Sequence, residues 1–207
     1  MFGKSELIRI SLLFTALAVA SADPITYVVN VNTSSLSGLG TGGIDFQFNP
    51  GGTSSPASLE IQNFTSDGAL VGTPSVTGDV TGTLPAMLTF VNDTPFNDYF
   101  QNFTFGNSLA FDVIFLPGAP NPLATDGSTF AFSLFSDIAG TVPALTSNPA
   151  GFALSIDLNL DGTTTSNIFS DQVTATPEPN GLVLLGSALA LGLFVAGLRR
   201  RAFARNQ

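Results

Sequence analysis

Between residues 25 and 174 apolar and polar positions alternate in short runs, and nearly every run reads as a strand. Ile25–Asn32 (ITYVVNVN) is rich in β-formers and ends at the Ser/Gly cluster 34–43. Ile44-Asp45-Phe46-Gln47-Phe48 alternates cleanly, as a half-buried strand does, and Asn49-Pro50-Gly51-Gly52 breaks it. Leu59-Glu60-Ile61-Gln62-Asn63-Phe64 repeats the pattern and stops near Asp67-Gly68. Shorter strands are expected at 69–71 and 75–81, and a longer one from Met87 to Val91.

The aromatic weight lies in the centre. Phe96, Tyr99, Phe100, Phe103 and Phe105 lead into Leu109–Phe115, and Thr129–Phe135 follows after Asp126-Gly127. Two strands this rich in Phe read as the facing pair of a core, since large aromatic rings are the side chains that gain most from burial. Phe152, Leu154, Ile156, Leu158 and Leu160 then alternate with polar or small residues. Gly162 and a Thr run are expected to turn the chain, and Ile168–Thr174 to give a last strand. Some ten short strands without a helical stripe predict an all-β fold, a single β-sandwich or jelly-roll-like domain.

The periodicity changes at both ends. Lys4 and Arg9 precede the apolar run Ile10–Ala20, and Ala20-Ser21-Ala22 has the small-residue pattern of a signal-peptidase site. A run of eleven residues is too short to span a bilayer, so 1–22 reads as a signal peptide with a signal helix, cut after Ala22 or Ala20. At the other end, Gly181–Leu198 holds no charge and no polar residue beyond Ser187. Its length as a helix is roughly 27 Å, enough for a transmembrane helix in a thin bilayer. Arg199, Arg200 and Arg201 then stop transfer and hold the basic end 199–207 in the cytoplasm.

What remains, 23–175, is one domain's length and carries thirteen of the fifteen carboxylates without a single Lys, Arg, His or Cys. No disulfide, thiolate, imidazole base or internal ion pair is available to it. Nucleic acid is excluded as a partner, because phosphate binding depends on cations. Self-repulsion among the acids predicts that mild acid or a divalent cation stabilises the domain.

Thr176 to Gln207 carries the most specific pattern. Pro177-Glu178-Pro179, a glycine-spaced apolar run and a closing arginine cluster resemble the PEP-CTERM sorting tails of Gram-negative bacteria. The likeness covers 32 of 207 residues, with Thr176 standing where the family often has Val. It implies that an intramembrane exosortase recognises the tail and cleaves near the Pro-Glu-Pro. The exported domain is then released or attached to the cell surface, often alongside exopolysaccharide. Thr26–Gly51 is similar to the opening of uncharacterised exported domains that precede such tails; no activity attaches to them.

Two chemistries are open to an acid-only domain. A carboxylate pair of the glycosidase kind needs two acids about 5–10 Å apart in a cleft. A hard-cation site needs oxygen ligands at alternate positions, and Asp157-Leu158-Asn159-Leu160-Asp161-Gly162 matches the opening of a calcium loop. The Glu that should close the loop falls on Ile168, so strand-then-turn competes with weak Ca2+ ligation by Asp157, Asn159 and Asp161. No other cofactor is implied. The expected role is non-catalytic: a surface or extracellular-matrix protein, anchored in the inner membrane until processed, with extracellular polysaccharide as a partner. A glycan-active enzyme using carboxylates alone, or an ice- or surface-binding module, is the alternative.

Overall fold

The computed structural model describes residues 23–179, which form thirteen strands and no helix. Ala20 and Ala22 with the expected signal helix, the apolar run 181–198, and Arg199, Arg200 and Arg201 lie outside the described residues. One sheet has the spatial order β13 (Val173–Pro177), β1 (Ile25–Asn32), β8 (Ser108–Pro117), β3 (Ala57–Ser66), β6 (Leu88–Val91), β5 (Val80–Gly82). The other has the order β12 (Thr164–Ile168), β11 (Phe152–Leu158), β9 (Ser128–Phe135), β2 (Thr41–Pro50), β7 (Asp98–Thr104), β4 (Ala69–Thr77). A two-residue strand, β10 (Pro143–Ala144), pairs with the end of β9. All pairings are antiparallel. The fold is an all-β sandwich of two antiparallel sheets.

Alternation in sequence turns the large apolar side chains of each strand to the core. Ile44, Phe46 and Phe48 on β2 are buried, and so are Phe111, Val113 and Phe115 on β8. The β8 and β9 strands, each paired on both sides, bring the two Phe-rich segments face to face across the core. Phe111 stands 5.0 Å from Phe132 between ring centroids, Phe46 stands 5.1 Å from Phe111, and Phe48 stands 6.1 Å from Phe115. Such inclined pairs contribute about 0.5–1.5 kcal/mol each beyond their buried area.

Three expectations are redrawn. The segment expected as one strand over Ile168–Thr174 is the end of β12, a crossover between the sheets, and the start of β13. Val173 N–H bonds Ser170 O at 3.2 Å and Gln172 N–H bonds Ser170 Oγ at 3.2 Å, so the chain turns between the two strands. The Thr run belongs to β12, because Gly162 at φ +79° completes the turn before it and β-branched residues suit a strand. Residues 69–71 and 75–77 form a single bulged strand, and Gly78 at φ +77° ends it ahead of β5. The bulge is held from inside: Gln101 Nε2 donates to Val71 O and Gly72 O at 2.8 and 3.0 Å.

The strand directions sort the loops into two groups. Tyr27 pairs with Pro177, and Glu178 N–H donates to Thr26 O at 2.8 Å, so β1 begins where β13 ends. Loops 51–56, 92–97, 118–127 and 159–163 gather at this tail end. Loops 33–40, 67–68, 105–107, 136–142 and 169–172 form the far end.

Candidate functional site

A polar cleft opens at the far end, where β1 and β3 finish and β8 and β13 start. Its volume is about 610 Å³, and Asn30, Asn32, Ser66, Asn107, Asp171 and Gln172 are among its lining residues. Alternation turns Val31 and Leu109 into the core and leaves Asn30, Asn32 and Ser108 outward. Asn32 Oδ1 accepts from Ser34 N–H at 3.1 Å, which fixes its amide. The rim is set by Asp67 in the turn between β3 and β4. Its carboxylate accepts the backbone N–H groups of Asn107 and Ser108 at 2.8 Å each and the Asn107 side-chain amide at 2.9 Å. Those backbone bonds, then the side-chain amide, hold Asp67 down at about 2, below the usual carboxylate range. The lining offers neutral amides and hydroxyls with one carboxylate, Asp171, and exposed Asp67 beside it on the rim. It suits hydroxyl-rich ligands and has nothing for phosphates.

The tail end holds a different cleft of about 520 Å³, walled by Pro56, Pro117, Pro120, Leu158 and Leu160. Next to it a smaller cleft, about 480 Å³, contains Asn49, Asp126, Asp157 and Asn159. The three calcium candidates divide between strand and turn. Asp157 lies on β11, accepting from Thr129 Oγ1 at 2.7 Å and Asn167 Nδ2 at 3.3 Å. Asn159 directs its amide N–H groups at Thr163 Oγ1 and Thr165 Oγ1, at 3.0 and 3.1 Å. Asp161 accepts from the Thr163 hydroxyl at 2.6 Å and the Thr163 N–H at 3.0 Å, and these two bonds lower its pKa. Asp157 and Asn159 share the smaller cleft; Asp161 lines the larger one with Asn159. Among the described residues, no three carboxylates converge.

An acid partnership lies outside all three clefts, and the sequence pattern gives no hint of it. Asp45 points outward from β2, yet is only 5 % exposed. Phe100 and Ser133 are its direct cross-strand neighbours, and Asp98 stands diagonally on β7. Gln47 Nε2 donates to Asp45 Oδ2 at 2.8 Å, while Oδ1 has no N–H or O–H donor. Two carboxyls bond each other only when one carries a proton. Burial, followed by the hydrogen bond to Asp98 and its charge, pushes Asp45 up to about 8. Phe100, opposite Asp45 on β7, and Phe135, opposite Gly43 on β9, have their rings 6.0 Å apart, a neighbourhood that exists only after folding.

The Pro177-Glu178-Pro179 motif is the end of an edge strand. Pro177 is the last residue of β13, and Glu178 is tied to β1 through Thr26. No family model matches the chain, and neither a curated protein nor a solved structure matches it.

Proposed function

We propose that this is a non-catalytic exported protein of the cell surface or extracellular matrix, sorted and cleaved at its tail by an exosortase, whose body holds polysaccharide in the far-end cleft. The observation that carries the binding part is the cleft's lining of amides and hydroxyls, which pair with sugar hydroxyls by neutral hydrogen bonds. The absence of any cation in 23–175 directs the choice toward neutral or cation-bearing glycans and away from phosphorylated ones. Signal peptidase and exosortase act on it as processing enzymes, and the inner membrane holds it before processing. The repeated crossing of successive strands between sheets favours a jelly-roll winding for the body. Weak Ca2+ binding at Asp157, Asn159 and Asp161 is compatible with this role and not required by it.

The test is a glycan array run beside a polysaccharide-hydrolysis assay on the exported body. Binding without turnover is expected, with Asn30→Ala and Gln172→Ala each weakening it about tenfold, or 1.4 kcal/mol. Turnover would favour the carboxylate enzyme, and binding indifferent to both substitutions would move the ligand elsewhere.

A further inference from the structure

The proposed membrane tether fixes more than the location of the protein; it fixes which surface faces the bilayer. Pro177 is still paired in the sheet, and the apolar run begins at Gly181. Four residue steps of extended chain reach about 14 Å. Whatever bilayer receives 181–198 therefore lies within that distance of the tail end. The first strand enters at the same place, because Ile25 is paired with Phe115 and Tyr27 with Pro177.

We infer that the loops of the tail end form a preformed apolar cap that rests on the bilayer, at the boundary of headgroups and acyl chains, until the tail is processed. The inference rests on the reading of 181–198 as a membrane span. Within the cap, Leu123 is 78 % exposed on loop 118–127 and Leu160 is 50 % exposed on loop 159–163. Between these loops lies the cleft walled by Pro56, Pro117, Pro120 and Leu158. Apolar side chains such as Leu39 and Ile138 are equally exposed at the far end, so exposure alone does not choose a face. The tether does, and the apolar cleft lies at that same end, beside the smaller cleft that contains Asn49, Asp126, Asp157 and Asn159.

The cap is braced. Gly118 N–H bonds Pro56 O at 2.9 Å, Thr125 N–H bonds Thr53 O at 2.8 Å, and Gly51 N–H bonds Gly127 O at 2.8 Å. Beneath them the buried Asn92 accepts from Ala57 N–H at 2.8 Å and donates to Ser55 O and Ser128 Oγ, both at 2.8 Å. Loops tied in this way present their apolar side chains without first having to be ordered, which favours binding. Asp126 and Asp161 stand in the same cap, with exposed Asp93 and Glu178 at the same end, so the matching surface is a zwitterionic bilayer, which offers no like charge.

A label placed on the cap reads this directly. The chain has no cysteine, so Leu123→Cys, Leu160→Cys, Leu39→Cys and Ile138→Cys each give one attachment point for an environment-sensitive dye. The full chain is reconstituted in phosphatidylcholine vesicles carrying a quencher near the headgroup. Dyes at 123 and 160 should shift to the blue and lose intensity several-fold, whereas those at 39 and 138 should keep their aqueous emission. Strands of eight to ten residues set the far end roughly 25–30 Å further out. Water-like emission at 123 and 160 in a chain that resists alkaline extraction overturns the cap alone. A chain that alkali extracts overturns the span, and the cap with it. A blue shift without lipid quenching means that another copy covers the face, which also overturns the proposal.

Discussion

With its pKa pushed up to about 8, Asp45 keeps its proton through the range in which an exposed aspartate has lost it. A raised folded pKa gives stability that is complete below the unfolded value near 4 and is lost as pH climbs to 8. Asp67 acts in the opposite sense. Its pKa of about 2 gives stability that is present above 4 and lost as pH falls toward 2. Asp137 and Asp161 are lowered in the same direction, first by hydroxyls of Thr141 and Thr163 and then by backbone N–H groups. A thermal melt followed against pH should therefore peak near pH 4–5, on the acid side of neutrality. Replacing Asp45 by Asn removes the titration behind the alkaline decline, so the melting temperature at pH 8 should rise toward its value at pH 4–5. Asp67→Ala should lower the melting temperature at pH 7 and weaken glycan binding together, because the same carboxylate holds the cleft's rim. A domain without cations satisfies its acids through amides, hydroxyls and main-chain N–H groups, so its carboxylates do more than keep it soluble.

Among the strands, legibility follows how local the cause is. β2, β3, β8, β9 and β11 announce themselves because large apolar side chains alternate with small or polar ones along them. The division of β12 from β13 is not visible in Ile168–Thr174, since the crossover is formed by ordinary residues whose turn depends on Ser170. β10 is two residues long and exists only because the end of β9 has an open edge beside it. The core pairing is readable from Phe alone, and it has a measurable weight. Phe132→Ala removes a ring that touches both Phe46 and Phe111 and should cost about 3–5 kcal/mol in denaturant unfolding. The loops of the tail end allow a subtler test. A methyl added at Gly127 would sit 2.1 Å from the Leu158 carbonyl oxygen, so Gly127→Ala should destabilise by about 1–3 kcal/mol through a forced backbone shift.

For the whole molecule, the charge distribution makes a simple prediction. All six Lys and Arg residues lie within 1–9 or 199–205. A product processed at both ends should resist trypsin even when denatured by urea, and the full-length chain should lose only its extremities; a gel of the two digests decides it. The all-β class was legible because alternation is a property of residue order, and the acid excess because it is a property of composition. The polar cleft was not, because Asn30, Ser66, Asn107 and Gln172 come from four separate segments that only the pairing of β1 with β8 and β13, and of β3 with β8, brings together. The Asp45–Asp98 partnership was hidden for the same reason.

The seating of β1 also sets a timetable. Its two neighbours are made of residues 108–115 and 173–177. A chain delivered amino end first therefore presents TYVVNV, a segment of high strand propensity with no charge, long before either neighbour exists. Closure across more than 140 residues comes last and is slow, and a bare strand of this composition is open to pairing with other chains while it waits. The sandwich is sealed only when Pro177 has emerged, within a few residues of the point where the apolar run follows. Completion of the fold and arrival of the tail are in this way nearly a single event in time.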